Sequence, residues 1–91
     1  MTILLTGAAG FIGMHVAEAL LARGEKVIGI DSLTPYYDLR LKQARRDRLL
    51  AQPNFSFYEA NIADRVAISE LLSQNREVTQ IIHLAAQPGV R

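Results

Sequence analysis

The sequence contains no cysteine and no tryptophan, and no apolar run approaches the roughly 18 residues that a membrane-spanning helix needs. Without cysteine, disulfide scaffolds and cysteine-ligated zinc or iron–sulfur sites are excluded, and a reducing, cytoplasmic location is expected. An excess of one charge is also lacking, because ten Lys+Arg stand against nine Asp+Glu. We therefore expect a soluble chain with no general attraction to nucleic acid or to an anionic membrane.

What is present is the composition of an ordinary globular chain. Of the 91 residues 49% are hydrophobic and 21% are charged, which excludes disordered and collagen-like classes. No linker, internal repeat or low-complexity segment interrupts the sequence. We therefore interpret residues 1–91 as a single unit.

Short apolar strands alternate with segments of helical periodicity along the whole chain. The predicted strands are Thr2–Thr6, Lys26–Asp31, Phe55–Glu59 and Gln80–Ala86. The predicted helices run from Phe11 to a stop at Gly24, from Pro35 through Leu49, and from an Asp64 N-cap to about Asn75. In the first helix, Ile12, Val16, Ala19 and Leu20 form the expected apolar face. The order β-α-β-α-β-α-β predicts an α/β fold with a parallel sheet of strand order 3-2-1-4 and helices on both faces.

The clearest functional pattern is Gly7-Ala8-Ala9-Gly10-Phe11-Ile12-Gly13, which follows a strand and opens a helix. Gly7 and Gly10 allow a tight turn and a close backbone approach to a pyrophosphate, whose charge would rest on amide groups at the helix N-terminus. Gly13 allows the helix to pack closely on the sheet. The pattern predicts a dinucleotide-binding loop.

Asp31 ends the second predicted strand, 18 residues after Gly13. A carboxylate in this place can accept hydrogen bonds from an adenosine ribose and repels a 2′-phosphate, so NAD is expected in preference to NADP. Arg40 and Lys42 lie a turn or more into the next helix and are expected to face solvent.

The spacing Gly-x-x-Gly-x-x-Gly resembles the extended branch of the short-chain dehydrogenase/reductase superfamily, which contains nucleotide-sugar epimerases and dehydratases. His83-Leu84-Ala85-Ala86 is similar to the H-x-A-A stretch of that branch. Asp31 to Arg45, with its Tyr-Tyr-Asp and Leu-Lys-x-Ala-Arg, and Ala85 to Arg91 resemble segments of the UDP-glucuronate 4-epimerase subfamily. The resemblance covers all 91 residues and implies the first half of a Rossmann-type NAD domain, with the substrate domain absent.

The resemblance also implies roles for individual residues. The glycines and the neighbouring Ala9, Phe11 and Ile12 would hold the pyrophosphate, and Asp31 with Ser32 the ribose. Asn61 and Ile62, where many relatives carry Asp-Val or Asp-Ile, would flank the adenine. Leu84, Ala85, Ala86 and Gln87 would line the path to the nicotinamide. The implied reaction is a 4-epimerisation of a nucleotide sugar through transient oxidation at C4, in polysaccharide biosynthesis.

The superfamily's acid/base pair, Tyr-x-x-x-Lys, does not occur in the 91 residues. The tyrosines are 36, 37 and 58, and the residues four positions on are Arg40, Leu41 and Ile62. No catalytic residue is therefore assigned, and this chain alone is expected to be inactive. Two alternatives stay open: a dTDP-glucose 4,6-dehydratase or nucleotide-sugar decarboxylase of the same family, and a non-catalytic dinucleotide-binding or inert fragment.

Three further expectations concern surfaces. His83 is predicted to be a packed, hydrogen-bonded core histidine and not a metal ligand. The basic stretch from Arg40 to Arg48 is interpreted as a solvated helix face, not a nucleic-acid site. The strand Gln80–Ala86 is expected at an edge of the sheet, where it would drive dimerisation or larger self-association.

Overall fold

A computed structural model describes residues 1–32 and 39–84 of the chain. Within them, strands and helices alternate in the predicted order. The strands are β1 (Thr2–Thr6), β2 (Lys26–Asp31), β3 (Phe55–Glu59) and β4 (Val78–His83). The helices are α1 (Phe11–Ala22), α2 (Leu39–Leu50) and α3 (Arg65–Gln74). Pro35, the predicted first residue of the second helix, lies outside the described residues.

The four strands form one parallel sheet in the order β3-β2-β1-β4, as predicted. β1 is central and apolar on both faces, because helices cover the sheet on both sides. One face carries the larger core, built from β1, β2, β3, α1 and α2; its buried residues are Ile3, Leu5, Ala8, Met14, Ala17, Leu20, Val27, Leu49 and Phe55. On the other face Leu71 of α3 packs with Leu4, Ile28 and Ile30. The predicted α/β class with helices on both faces is confirmed.

The ends of α1 and α3 follow the sequence signals. After α1, Gly24 takes a φ of 86°, and the amides of Gly24 and Glu25 donate to the carbonyls of Leu21 and Leu20. This pair of bonds is a Schellman motif, which satisfies the carbonyls that a helix end leaves without partners. At the start of α3, the Asp64 carboxylate accepts a hydrogen bond from the Ala67 amide at 3.1 Å. Both predicted helix boundaries are therefore confirmed.

The predicted apolar face of α1 is confirmed for Leu20, which is buried, and for Val16, which packs against the core, but it is wrong for Ile12 and Ala19. The buried positions include Met14, Ala17 and Leu20, whereas Ile12 is 65% exposed and Ala19 is also exposed. Gly13 causes the difference, because its contact with the loop after β1 turns the Gly13–Ala17–Leu20 side of the helix toward the sheet.

The bounds of β4 also differ from the prediction. The strand begins at Val78 and ends at His83, two residues earlier at its start than Gln80, and Leu84 already lies beyond it. β1 sets these limits, because Thr2 pairs with Val78 and Thr6, the last residue of β1, pairs with His83. No helix within the described residues has the length and apolar character that crossing a membrane requires.

Candidate functional site

The carboxyl ends of the parallel strands meet along one edge of the sheet, where α/β folds bind their ligands. Thr6, at the end of β1, pairs there with His83 of β4 on one side and with Ile30 of β2 on the other. Asp31 pairs in turn with Glu59 at the end of β3. The residues that follow these strand ends are the ones the sequence marked as cofactor-binding.

The loop after β1 is a tight turn fastened to the end of β2. Gly7 has a φ of 74°, which an L side chain rarely adopts. The amides of Gly7 and Ala8 donate to the Ile30 carbonyl at 2.8 and 3.2 Å, and the Gly10 amide donates to the Gly7 carbonyl at 3.0 Å. These three backbone hydrogen bonds fasten the loop without the help of a ligand.

Gly13 brings α1 into backbone contact with this loop. A β-carbon at Gly13 would lie 1.9 Å from the Gly7 carbonyl oxygen and 2.8 Å from the Gly7 carbonyl carbon. Since backbone atoms cannot yield as a flexible side chain does, only glycine fits here. The predicted reason for Gly13, close packing of the helix, is confirmed in geometry.

The N-terminus of α1 suits an anion. Among the described residues, no side chain caps the helix at Gly10 and no acidic residue stands in its first turn. The first amides of a helix lack intrahelical acceptors, and the helix dipole places partial positive charge on them. Phe11 and Ile12, in this first turn, are 62% and 65% exposed. A pyrophosphate laid along this turn would find amide donors and no competing carboxylate, so the residues present fit a dinucleotide.

Asp31 is buried at the end of β2, where Ala9 and Lys42, both among the described residues, donate hydrogen bonds to its carboxylate. Its Oδ2 accepts from the Ala9 amide at 3.1 Å, and its Oδ1 accepts from the Lys42 ammonium at 3.1 Å. The first bond joins the carboxylate to the glycine-rich loop, so the two predicted halves of the site form one unit. Such charge-assisted bonds are stronger than bonds between neutral groups.

The expectation that Lys42 faces solvent is wrong. Its side chain is 28% exposed and forms an ion pair with Asp31, whose side chain is 4% exposed. Lys42 lies seven residues before the fully buried Leu49, which places both on the same face of α2 and turns Lys42 toward the sheet. Arg40 is exposed, as expected.

Ser32, Asn61 and Ile62 follow the strands β2 and β3 at the same edge. The Ala60 amide donates to the Asp31 carbonyl at 3.2 Å, which brings the start of the Asn61–Ile62 loop beside Asp31. Asn61 is exposed, and its side-chain oxygen accepts from the Ala63 amide at 2.9 Å. The adenine contacts of Asn61 and Ile62 and the ribose contact of Ser32 stay predictions.

The end of β4 is tied to β1 through Thr6. The Thr6 hydroxyl lies 2.8 Å from His83 Nδ1 and accepts a bond from the Leu84 amide at 3.0 Å. The predicted hydrogen bond of His83 is confirmed, but its core position is wrong, because β4 is an edge strand and leaves His83 exposed. Leu84 lies directly after the carboxyl end of β4, as predicted, and Ala85, Ala86 and Gln87 lie outside the described residues.

Sequence reasoning missed Lys42 as a member of the site. The signal was present in the helical spacing of Lys42, Arg45 and Leu49, which share one face of α2. Because Leu49 faces the core, Lys42 and Arg45, which lie seven and four residues before it, are placed on the same side of α2. The basic stretch is therefore not one solvated face, because Lys42 pairs with Asp31 while Arg40 is exposed.

Comparisons with known proteins agree with this fold. A family model described as GDP-mannose 4,6 dehydratase matches residues 4–91. The chain is 46% identical over all of its residues to a probable UDP-glucuronate 4-epimerase from Rhizobium meliloti, of which it covers 26%. It is 47% identical, again over its whole length, to UDP-glucuronate 4-epimerase 4 from Arabidopsis thaliana, of which it covers 20%.

Among solved structures, the chain is similar to the UDP-glucuronic acid 4-epimerase from Bacillus cereus in complex with UDP-glucuronic acid and NAD. The TM-score is 0.83 at 39% identity, over 100% of this chain and 28% of that one. The fold and these similarities thus define a Rossmann-type α/β unit of the short-chain dehydrogenase/reductase type. More particularly, the chain belongs to the nucleotide-sugar epimerase and dehydratase family that the GDP-mannose 4,6 dehydratase model describes. It spans about a quarter of the length of these relatives.

Proposed function

We propose that this chain is the NAD-binding segment of a nucleotide-sugar 4-epimerase that acts on UDP-glucuronate. The observation that carries the proposal is the link between the glycine-rich loop and Asp31, made by the 3.1 Å bond from the Ala9 amide. The loop supplies amides for a pyrophosphate, and Asp31 supplies a carboxylate for the ribose. The bond from Ala9 fixes the distance between the loop and this carboxylate. Relatives named as UDP-glucuronate 4-epimerases support the choice of reaction.

Each part of the site has one task in this proposal. Gly7, Gly10 and Gly13, with the backbone of Phe11 and Ile12, hold the pyrophosphate, and Ala9, whose amide donates to Asp31, joins this loop to the ribose site. Asp31 and Ser32 hold the adenosine ribose, Asn61 and Ile62 flank the adenine, and Leu84, Ala85, Ala86 and Gln87 line the path to the nicotinamide. NAD, when bound, supplies transient oxidation of the sugar at C4. The 91 residues contain no Tyr-x-x-x-Lys to transfer the proton.

A 4,6-dehydratase is the second candidate, and the description of the matching family model favours it. The residues that bind the nucleotide cofactor serve both reactions, so the 91 residues do not separate them. The discriminating observation is the coding sequence downstream of Arg91. An in-frame Tyr-x-x-x-Lys followed by a sugar-binding segment supports an enzyme. Assay of that longer product with UDP-glucuronate detects the epimerase, and assay with a nucleotide hexose that keeps its 6-hydroxyl detects the dehydratase. A stop codon directly after Arg91 would instead favour a non-catalytic fragment.

Two further parts of the proposal concern assembly and location. The edge strand β4 presents Ile81, which is 57% exposed, beside backbone groups that a second copy can pair with, which supports self-association or a homodimer. The absence of cysteine from the 91 residues supports a cytoplasmic location. There the product would serve polysaccharide biosynthesis.

Chemical-shift mapping tests the cofactor site directly. Addition of NAD to ¹⁵N-labelled chain should shift the amide resonances of Gly7, Ala9, Gly10 and Gly13. The Gly24 amide, at the other end of α1, is the internal control and should stay unshifted. Saturating NAD without movement of the glycine-loop amides would contradict the proposal.

A further inference from the structure

Lys42 reaches from α2 to the buried carboxylate that ends β2. Its ammonium lies 3.1 Å from Asp31 Oδ1, and the two side chains are 28% and 4% exposed. The Lys26–Glu77 pair, by contrast, is 50% and 44% exposed, with 3.4 Å between the charged atoms. Solvent and salt screen a sheltered pair less than an exposed one, so Lys42 changes the electrostatic potential at Asp31.

Arg45 extends the same basic face of α2 toward the cofactor loop. It lies three residues after Lys42, so both side chains project from neighbouring turns of one helix face. Its guanidinium carbon stands 5.7 Å from the centre of the Phe11 ring, in the first turn of α1. This cation–π contact holds a second positive charge beside the proposed dinucleotide site.

We propose that Lys42 is a selectivity residue of the cofactor site, because it neutralises Asp31 and offers an ammonium to the 2′-phosphate of NADP. The inference rests on the proposed function, since it assumes that the adenosine ribose lies against Asp31. Asp31 alone would reject a 2′-phosphate by like-charge repulsion. The Lys42 ammonium offsets part of this repulsion, so NADP is rejected less strongly. Lys42 therefore lowers the ratio of NAD to NADP affinity below the value that Asp31 alone would give.

The test compares NAD and NADP binding by calorimetry to this chain and to charge variants of it. Lys42→Met removes the cation, and Lys42→Gln removes the charge but keeps an amide that can donate to Asp31. Either variant should raise the ratio of NAD to NADP affinity about tenfold, because the 2′-phosphate then meets a carboxylate that has lost the positive charge of Lys42. Lys42→Arg keeps the cation and should keep the wild-type ratio within about threefold, which is less than 1 kcal/mol.

Lys26→Met is the matched control, because it removes the same charge from the start of β2, at the opposite edge of the sheet. It should leave the cofactor ratio unchanged. If Lys42→Gln still binds NAD with an unchanged ratio of NAD to NADP affinity, the selectivity role of Lys42 is overturned and the proposed function is not. A wild-type chain that binds neither dinucleotide would instead overturn the proposed cofactor site, and the selectivity role with it.

Discussion

A β-carbon on Gly13 would stand 1.9 Å from the carbonyl oxygen of Gly7, so the first turn of α1 and the loop after β1 touch backbone to backbone. Gly13→Ala must push the helix away from the sheet. We expect a loss of about 1–3 kcal/mol in the free energy of unfolding, the usual cost of overpacking a tight site. Urea denaturation followed by circular dichroism measures this loss.

Gly10→Ala is the matched control for this substitution. A β-carbon there would lie 3.3 Å from the same Gly7 oxygen, and the backbone of Gly10 is extended, with φ −75° and ψ 168°. Its cost should stay below that of Gly13→Ala. Equal costs for the two variants would show that the helix does not pack on the loop as described.

The edge strand β4 provides a prediction about assembly. The wild-type chain should form dimers or larger species at micromolar concentration, and Ile81→Lys should shift it toward monomer, because an edge lysine opposes strand pairing. Val66→Lys, which charges an apolar position on α3 that is 68% exposed, against 57% for Ile81, should leave association unchanged. Light scattering over a concentration series measures both. A monomeric wild type throughout that range refutes association through β4.

The chain of 91 residues should have no epimerase activity. It contains no Tyr-x-x-x-Lys, the pair that moves the proton in the superfamily that it resembles. Purified chain incubated with NAD and UDP-glucuronate should give no UDP-galacturonate by chromatography. Product above the level of a no-enzyme blank would show that other residues can perform the proton transfer.

The ionised Glu77 carboxylate makes a small part of the folding stability depend on pH in the acid range. A hydrogen bond from its own backbone and then the ion pair with Lys26 lower the pKa of the Glu77 carboxyl in the folded state. A lowered pKa means that the stabilisation is complete above the ordinary glutamate value of about 4.3 and is lost as the pH falls through the folded-state value. Glu77→Gln should therefore flatten the acid end of the stability curve, measured as melting temperature against pH. Glu70→Gln, an exposed glutamate of α3, is the control; an unchanged acid limb in Glu77→Gln would contradict the assignment.

The sequence predicted the element order, the strand order and the positions of Gly13 and Asp31, because these depend on local signals and on one topological rule. Local signals did not determine how the helices turn about their axes. Gly13 rotates α1 so that Met14 is buried and Ile12 is exposed, and Leu49 rotates α2 so that Lys42 meets Asp31. The end of β4 likewise depends on its partner, since the last residue of β1 determines where pairing stops. Tertiary contacts decide all three, and only for α2 does the sequence carry a signal, in the helical spacing of Lys42 and Leu49.

The most direct test of the account is calorimetric titration of the chain with NAD and with NADP, in wild type and in Asp31→Ala. Asp31 favours NAD through hydrogen bonds to the ribose and repulsion of a 2′-phosphate, and Lys42 moderates the effect, so wild type should prefer NAD by about tenfold. Asp31→Ala should lose NAD affinity and gain relative tolerance of NADP, whereas Glu77→Gln, a carboxylate removed from the opposite edge of the sheet, should behave as wild type. Equal affinities of wild type for the two cofactors, or NAD affinity unaffected by Asp31→Ala, would contradict the assignment of this edge as the adenosine end of an NAD site.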